Sequence, residues 1–152
     1  MKIYIIGITG MLGGKLFIEF LKNKNFKVRG SCRLSTKQID KYEKFIDLNC
    51  DINNLELLKK KLLKYKPDLI INCAGVVKQK IGKDFDEKNT FYINSIFPHE
   101  LYKISSKIKS RLIHFSTDCV FDGKKGNYNE NFLPNSTDLY GLSKILGEVN
   151  YK

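Results

Sequence analysis

Four apolar residues, Ile3 to Ile6, run into Gly7, Gly10 and Gly13 follow at intervals of three, and Leu12, Leu16 and Phe20 recur at helical spacing. A strand buried on both faces, a tight turn and an amphipathic helix account for that succession. The pattern then repeats along the chain. Phe26 to Cys32 reads as a second strand, Thr36 to Tyr42 as a polar helix and Phe45 to Asp47 as a short third strand. Leu55, Leu58 and Leu62 predict a helix that must stop before Pro67. Asp68 to Cys73 is the clearest central strand, residues 89–108 carry a long helical pattern, and Leu112 to Phe115 forms a fifth strand. A polar loop from Asp118 to Thr137 leads to a last helix beginning near Asp138. Alternating strands and helices impose parallel pairing with right-handed crossovers. The expected fold is therefore α/β, a doubly wound parallel sheet of about five strands. Its ligand site should lie at the carboxyl ends of the strands, where the order reverses between the first and fourth.

The bulk properties agree with one domain over residues 1–152. The chain is 17.6 kDa with 42% hydrophobic residues, enough to build a core. No apolar run approaches the roughly 20 residues that span a membrane, and the run before Gly7 is too short for a secretory signal. No membrane partner and a cytoplasmic location are expected. The formal charge of +11 suits an anionic ligand. Its densest cluster, Lys59, Lys60, Lys61, Lys64 and Lys66, sits on the leucine-striped helix and reads as a solvated face, so no nucleic-acid partner is expected. Cys32, Cys50, Cys73 and Cys119 form no CxxC pair and no ligand cluster with His99 or His114. They read as reduced, buried small hydrophobes, and no metal site is signalled.

The glycine turn has the spacing GxxGxxG. Glycines there permit a tight turn and a close approach of backbone to a pyrophosphate, whose charge the helix N-terminus meets. Gly7, Thr9, Gly10, Met11, Leu12 and Gly13 are thus candidate cofactor contacts; the alternative is a turn serving only close helix–sheet packing. After the second strand, a carboxylate would suit the ribose of NAD and an arginine the 2′-phosphate of NADP. The chain offers Arg33 there and no acid until Asp40. Asp47 and Leu48, after the third strand, are candidates for holding the adenine, with Asp51–Ile52 as a competing register.

Tyr140 and Lys144 stand at i and i+4, neighbours on one helix face. Leu139, Leu142, Leu146 and Val149 predict the buried stripe of that helix, with Tyr140 and Lys144 on its shoulder. A phenol with a cation nearby is a plausible proton donor to a carbonyl oxygen that receives hydride. Thr117, in Ser116-Thr117-Asp118 after the fifth strand, can hydrogen-bond the same oxygen; the alternative is a loop-forming turn. Pro98 has no N–H for the carbonyl of Asn94, so a helix through both should kink, leaving that acceptor for a water near the lysine. Alternatively, Pro98 starts a new helix.

In several segments the chain resembles the extended short-chain dehydrogenase/reductases, within them the dTDP-4-dehydrorhamnose reductase-like group. They are Gly7 to Gly13, Pro67 to Gly75, Ile93 to His99, Phe115 to Gly123, Tyr128 to Glu130 and Leu139 to Glu148, in family order. The resemblance implies a Rossmann-like fold and catalytic roles for Thr117, Tyr140 and Lys144, with Lys144 also on the nicotinamide ribose. It implies that Gly7, Gly10 and Gly13 line the pyrophosphate and that Cys73, Ala74 and Gly75 pass beside the cofactor. The backbone carbonyl of Asn94 would relay protons through water. The function implied is reduction of a nucleotide-linked 4-keto sugar by NADPH, with NADH as the other candidate. Alternatives are a non-catalytic NADP-binding or regulatory module, and a sugar-nucleotide epimerase or dehydratase. Members of the family are about twice this length, so the expectation is a cofactor domain without its C-terminal substrate domain. A fragment, a truncated gene product, a homo-oligomer and a domain completed by another chain all fit that expectation.

Overall fold

The computed structural model describes residues 1–34, 36–37, 39–84 and 86–149. It divides into two compact units, Met1–Ala74 with Leu101–His114 and Gly75–Glu100 with Phe115–Lys152. The first unit holds the sheet. Strands β1 (Lys2–Ile6), β2 (Lys27–Ser31), β3 (Ile46–Asp47), β4 (Leu69–Asn72) and β5 (Arg111–His114) lie in the order β3-β2-β1-β4-β5, and every pairing is parallel. The order reverses between β1 and β4, as the alternation of elements predicts. Ile3 pairs with Val28 on one side and Leu69 on the other, so β1 is central and its Ile3–Ile6 run is buried on both faces.

Helix α1 (Met11–Lys22) packs Phe17 onto the sheet beside Ile3, Ile5, Ile8 and Val28. Helix α2 (Leu55–Tyr65) buries Leu58 and Leu62 and ends where Lys66 turns left-handed (φ 50), one residue before Pro67. The polar helix expected over Thr36 to Tyr42 is instead a 3-10 turn at Asp40–Phe45, broken at Tyr42. Ser35 and Gln38 lie outside the described residues. Among the described residues no helix is long and apolar enough to cross a membrane.

Residues 89–108, which read as one helix kinked at Pro98, are α3 (Glu87–Phe91), a π turn (Tyr92–Ile96) and α4 (Phe97–Lys107). The N–H of Phe97 reaches back five residues to the carbonyl of Tyr92. Widening the ladder by one residue absorbs the N–H that Pro98 lacks, and the helical path continues without a break.

Helix α5 (Leu139–Leu146) is capped by Asp138, which accepts the N–H of Gly141 at 3.0 Å. Its predicted apolar stripe is not its buried side. Leu142 is 39% exposed and Leu146 56%, whereas Gly141, Ser143 and Lys144 are buried. Small residues explain the inversion. A Cβ on Gly141 would lie 2.5 Å from the carbonyl oxygen of Cys119, so the helix seats its glycine face against backbone. Of the four cysteines, all free, Cys32 and Cys50 are buried but Cys73 and Cys119 are partly exposed.

Candidate functional site

In the first unit the glycine turn closes as a bare-backbone cradle. Gly7 has φ +82, and its N–H donates to the Ser31 carbonyl at 3.1 Å. A Cβ on Gly7 would lie 2.9 Å from the Ala74 nitrogen; one on Gly13 would lie 2.3 Å from the Gly7 oxygen and 3.1 Å from the Cys73 Cβ. Gly10 is the N-cap of α1 and no side chain caps that end. The first turn of α1 therefore presents its amides and the positive end of its dipole beside a surface only glycine can line. Thr9, Met11 and Leu12 are exposed on this turn. Burial of Cys73 pushes its thiol up to about 11, so it is a neutral wall of the cradle at pH 7. Ala74 is fixed by donating to the Asn72 Oδ1 at 3.1 Å, and Asn72 in turn meets the His114 ring at 3.1 Å.

The clash distances give a graded expectation. Gly13→Ala forces backbone apart and should cost about 1–3 kcal/mol of stability, as overpacked sites do. Gly10→Ala meets only the Gly7 oxygen, at 3.4 Å, and should cost less than about 1 kcal/mol. Urea midpoints of the two variants check the ranking; equal losses would contradict the geometry.

Arg33 is exposed just beyond β2, where a 2′-phosphate contact would have to be. Asp47 does not offer its carboxylate to a ligand. It is 4% exposed and receives the Tyr4 hydroxyl at 2.9 Å, Arg29 Nε and Nη2 at 3.0 Å each, and Lys61 Nζ at 3.2 Å. Burial pushes this carboxyl up, but the hydrogen bonds from Arg29, Tyr4 and Lys61 outweigh it and hold the group below its ordinary range. The same burial and the facing carboxylate push the Tyr4 phenol well above its ordinary value. The carboxylate expected to hold the adenine amino group is thus engaged within the protein, and Leu48 beside it is partly exposed. Asp51 and Ile52, the competing register, are partly exposed.

The second unit assembles the other group of predicted residues. Lys144 is 6% exposed, and its Nζ donates to the Phe115 carbonyl at 2.7 Å. Burial depresses the ammonium below the ordinary lysine value, opposed by the charge of Glu148. Tyr140, one turn earlier on α5, is half-buried. Thr117 donates to the Asp118 Oδ1 at 3.1 Å and accepts the Cys119 N–H at 3.2 Å, so its hydroxyl caps the 3-10 turn at Asp118–Val120.

Asn94 is fully buried. Its Oδ1 accepts the Val76 N–H at 2.8 Å, and its Nδ2 donates to the Val76 carbonyl at 2.9 Å and the Ser143 Oγ at 3.0 Å. Ser95 adds a bond to the Ser143 carbonyl at 2.8 Å. The carbonyl oxygen of Asn94 points at Gly147, where a Cβ would sit 1.8 Å away. Gly75 passes this amide with a Cβ position 3.5 Å from Asn94 Oδ1. The residue thus braces the Gly75–Val76 segment to α5 through its side chain. Sequence reasoning placed Asn94 for its backbone alone and missed Ser95, Ser143, Gly141 and Gly147; the run of small residues along α5 is the signal that marks them.

The whole chain, residues 1–152, matches the family described as the RmlD substrate binding domain. The chain belongs to that family. Among solved structures, this RmlD-family chain is similar to a hypothetical dTDP-4-dehydrorhamnose reductase from Sulfolobus tokodaii, at 30% identity and a TM-score of 0.81. It is also similar to a UDP-glucuronic acid 4-epimerase from Bacillus cereus in complex with NAD, at 28% identity and a TM-score of 0.80. Either match covers 97% of this chain and 50% of the other. A curated relative, methionine adenosyltransferase 2 subunit beta from Danio rerio, is 29% identical over 97% of this chain and 42% of its own length. The chain thus spans about half the length of the proteins it matches. The five-stranded parallel sheet, shared in fold with these structures, bears out the Rossmann-like reading, and the family match bears out the resemblance.

Proposed function

We propose that the chain is the cofactor-binding part of an NADPH-dependent reductase of a nucleotide-linked 4-keto sugar, with NADH as the weaker cofactor. The observation that carries this reading is Lys144, an ammonium 6% exposed and held on a backbone carbonyl one helical turn from Tyr140. Burying a cation without an ion pair is costly, and groups so placed cluster at functional sites. The bare turn at Gly7, Gly10 and Gly13 opens onto the uncapped N-terminus of α1, which suits a pyrophosphate, and a side chain at Gly7 or Gly13 would drive the turn apart.

A reduced nicotinamide, when bound, supplies a hydride to the carbonyl carbon. Tyr140 gives its phenolic proton to the carbonyl oxygen, the ketone becomes a secondary alcohol, and the phenolate regains a proton from solvent. Lys144 favours the phenolate by its charge and is assigned to the nicotinamide ribose. Thr117 turns its hydroxyl from Asp118 to the substrate oxygen. Asn94 holds α5 in place, and its carbonyl is assigned to the proton relay. With the Asp47 carboxylate spent on Tyr4, Arg29 and Lys61, Asp51 and Ile52 take the adenine end, while Cys73, Ala74 and Gly75 line the cofactor path.

Arg33 is assigned to the 2′-phosphate. Calorimetric titration of NADPH and NADH against wild type and Arg33→Ala tests the cofactor assignment. Loss of one charge-assisted contact should weaken NADPH about tenfold to a hundredfold and leave NADH unchanged. Equal affinity of the wild type for both cofactors would remove the assignment. A second reading, a nicotinamide-binding subunit without turnover, is favoured by the likeness to the methionine adenosyltransferase beta subunit.

A further inference from the structure

Glu148 lies just beyond α5, where the helix dipole disfavours a negative charge. It is nonetheless fixed there. Its Oε1 accepts the Ser116 hydroxyl at 2.5 Å, a short charge-assisted bond. One residue earlier in the chain, the Phe115 carbonyl accepts the Lys144 ammonium at 2.7 Å. Two oppositely charged side chains, four residues apart, therefore grip consecutive residues of the segment that leads into Thr117. A third attachment follows, because the Cys119 carbonyl sits against Gly141, where a Cβ would be 2.5 Å away.

We infer that Glu148 is a positioning residue, which, through Ser116, fixes the backbone carrying Thr117 to the helix carrying Tyr140 and Lys144. Two links make the segment rigid where one would leave it a pivot. The Lys144 bond alone restrains a single carbonyl, about which the chain could still rotate. Adding the Ser116–Glu148 bond fixes the next residue and sets the direction in which Thr117 leaves the clamp. The Glu148 carboxylate also opposes the loss of charge that burial imposes on Lys144. Titratable side chains facing α5 are Tyr92, Glu87, Lys88, Asp118 and Cys119, with His99 at 2.7 Å from the Leu146 carbonyl and Lys78 paired with the Asp138 cap at 3.1 Å. Asp118 accepts from the Thr117 hydroxyl and the Cys119 thiol, and Glu148 is the charge that opposes the depression of the ammonium.

The catalytic meaning of this clamp rests on the reductase reading, but its test needs neither cofactor nor turnover. The chain is labelled with ¹³C at the lysine ε-carbons and threonine methyls. The Lys144 resonance is identified by its loss in Lys144→Met, and that of Thr117 by its loss in Thr117→Val. Glu148→Gln keeps an acceptor for Ser116 and removes the charge; it should lower the Lys144 titration midpoint. Ser116→Ala keeps the charge and removes the anchor; it should shift the Thr117 methyl resonance. Glu148→Asp should fall between wild type and Glu148→Gln. A Lys144 midpoint unchanged in Glu148→Gln, or a Thr117 resonance unmoved in Ser116→Ala, would overturn the inference. Should Glu148→Gln fail to fold, the Glu148→Asp midpoint and the Ser116→Ala spectrum decide the same two points. Failure of the reductase reading would instead appear as absent cofactor binding in the separate titration, with both resonances still responding.

Discussion

Asp47→Ala is expected to destabilise the protein by about 3 kcal/mol, the lower end of what removing one partner from a buried charge network costs. The lower end applies because Arg29 and Lys61 are themselves 35% and 38% exposed and can turn to water. Tyr4 cannot, since it is fully buried and its hydroxyl would lose its acceptor. For a chain of this size the loss corresponds to a fall in melting temperature of about 6–12 °C. Two further measurements separate this network from generic damage. Tyr4→Phe should cost less in the Asp47→Ala background than in wild type, because the orphaned hydroxyl is then gone. The difference between wild type and Asp47→Ala should also depend on pH. The folded-state carboxyl is held below its ordinary value, so its contribution is fully present above the unfolded pKa of about 4. It is lost as pH falls through the folded value. The gap in melting temperature between wild type and Asp47→Ala should therefore be smaller at pH 3 than at pH 7; a gap of constant size would show that Asp47 stabilises by packing rather than charge.

Asp47 also shows where reading the chain alone reaches its end. Strand β1 and the glycine turn were legible because buried parallel strands are continuous apolar runs and only glycine tolerates the Gly7 and Gly13 contacts. The reversal of strand order followed from βα alternation. Whether an acid at the end of β3 faces a ligand or the protein depends on which cations the neighbouring elements bring to it. Arg29 is 18 residues away in sequence and Tyr4 is 43 away, and no local pattern announces their meeting. The face of α5 was misread for a related reason. Leu142 and Leu146 carry the hydrophobic signal, but the side that packs is chosen by Gly141, Ser143 and Gly147, which let backbone approach backbone. Close approach is a steric property of what is missing from a residue, and hydrophobic periodicity does not register it. The placement of Tyr140 one turn before Lys144, by contrast, depends only on helical geometry and was readable at once.

In a full-length reductase of which this chain is proposed to be the cofactor-binding part, Tyr140→Phe is expected to lower turnover at least about a hundredfold while leaving cofactor affinity within about twofold, the pattern of a lost general acid. The reaction followed is NADPH oxidation with dTDP-4-dehydrorhamnose. Phenylalanine keeps the ring and removes the one proton that the reduction must deliver to oxygen, so binding and chemistry should separate. Lys144→Ala should not separate them. That side chain donates to the Phe115 carbonyl, and it is assigned both to the phenol's charge balance and to the ribose. Its loss should weaken NADPH binding and slow the reaction together, and it should loosen the segment before Thr117. The pair of variants also discriminates between the two readings of the chain. A reductase shows a Tyr140→Phe defect in turnover alone and a Lys144→Ala defect in turnover and affinity. A binding subunit shows tight NADPH binding, no substrate-dependent oxidation in wild type, and a binding defect only in Lys144→Ala. Normal turnover in Tyr140→Phe would remove the proton donor from the mechanism, because no other described side chain on α5 carries an exchangeable proton beside Lys144 except Ser143, whose hydroxyl is buried and bonded to the Tyr140 carbonyl at 2.8 Å.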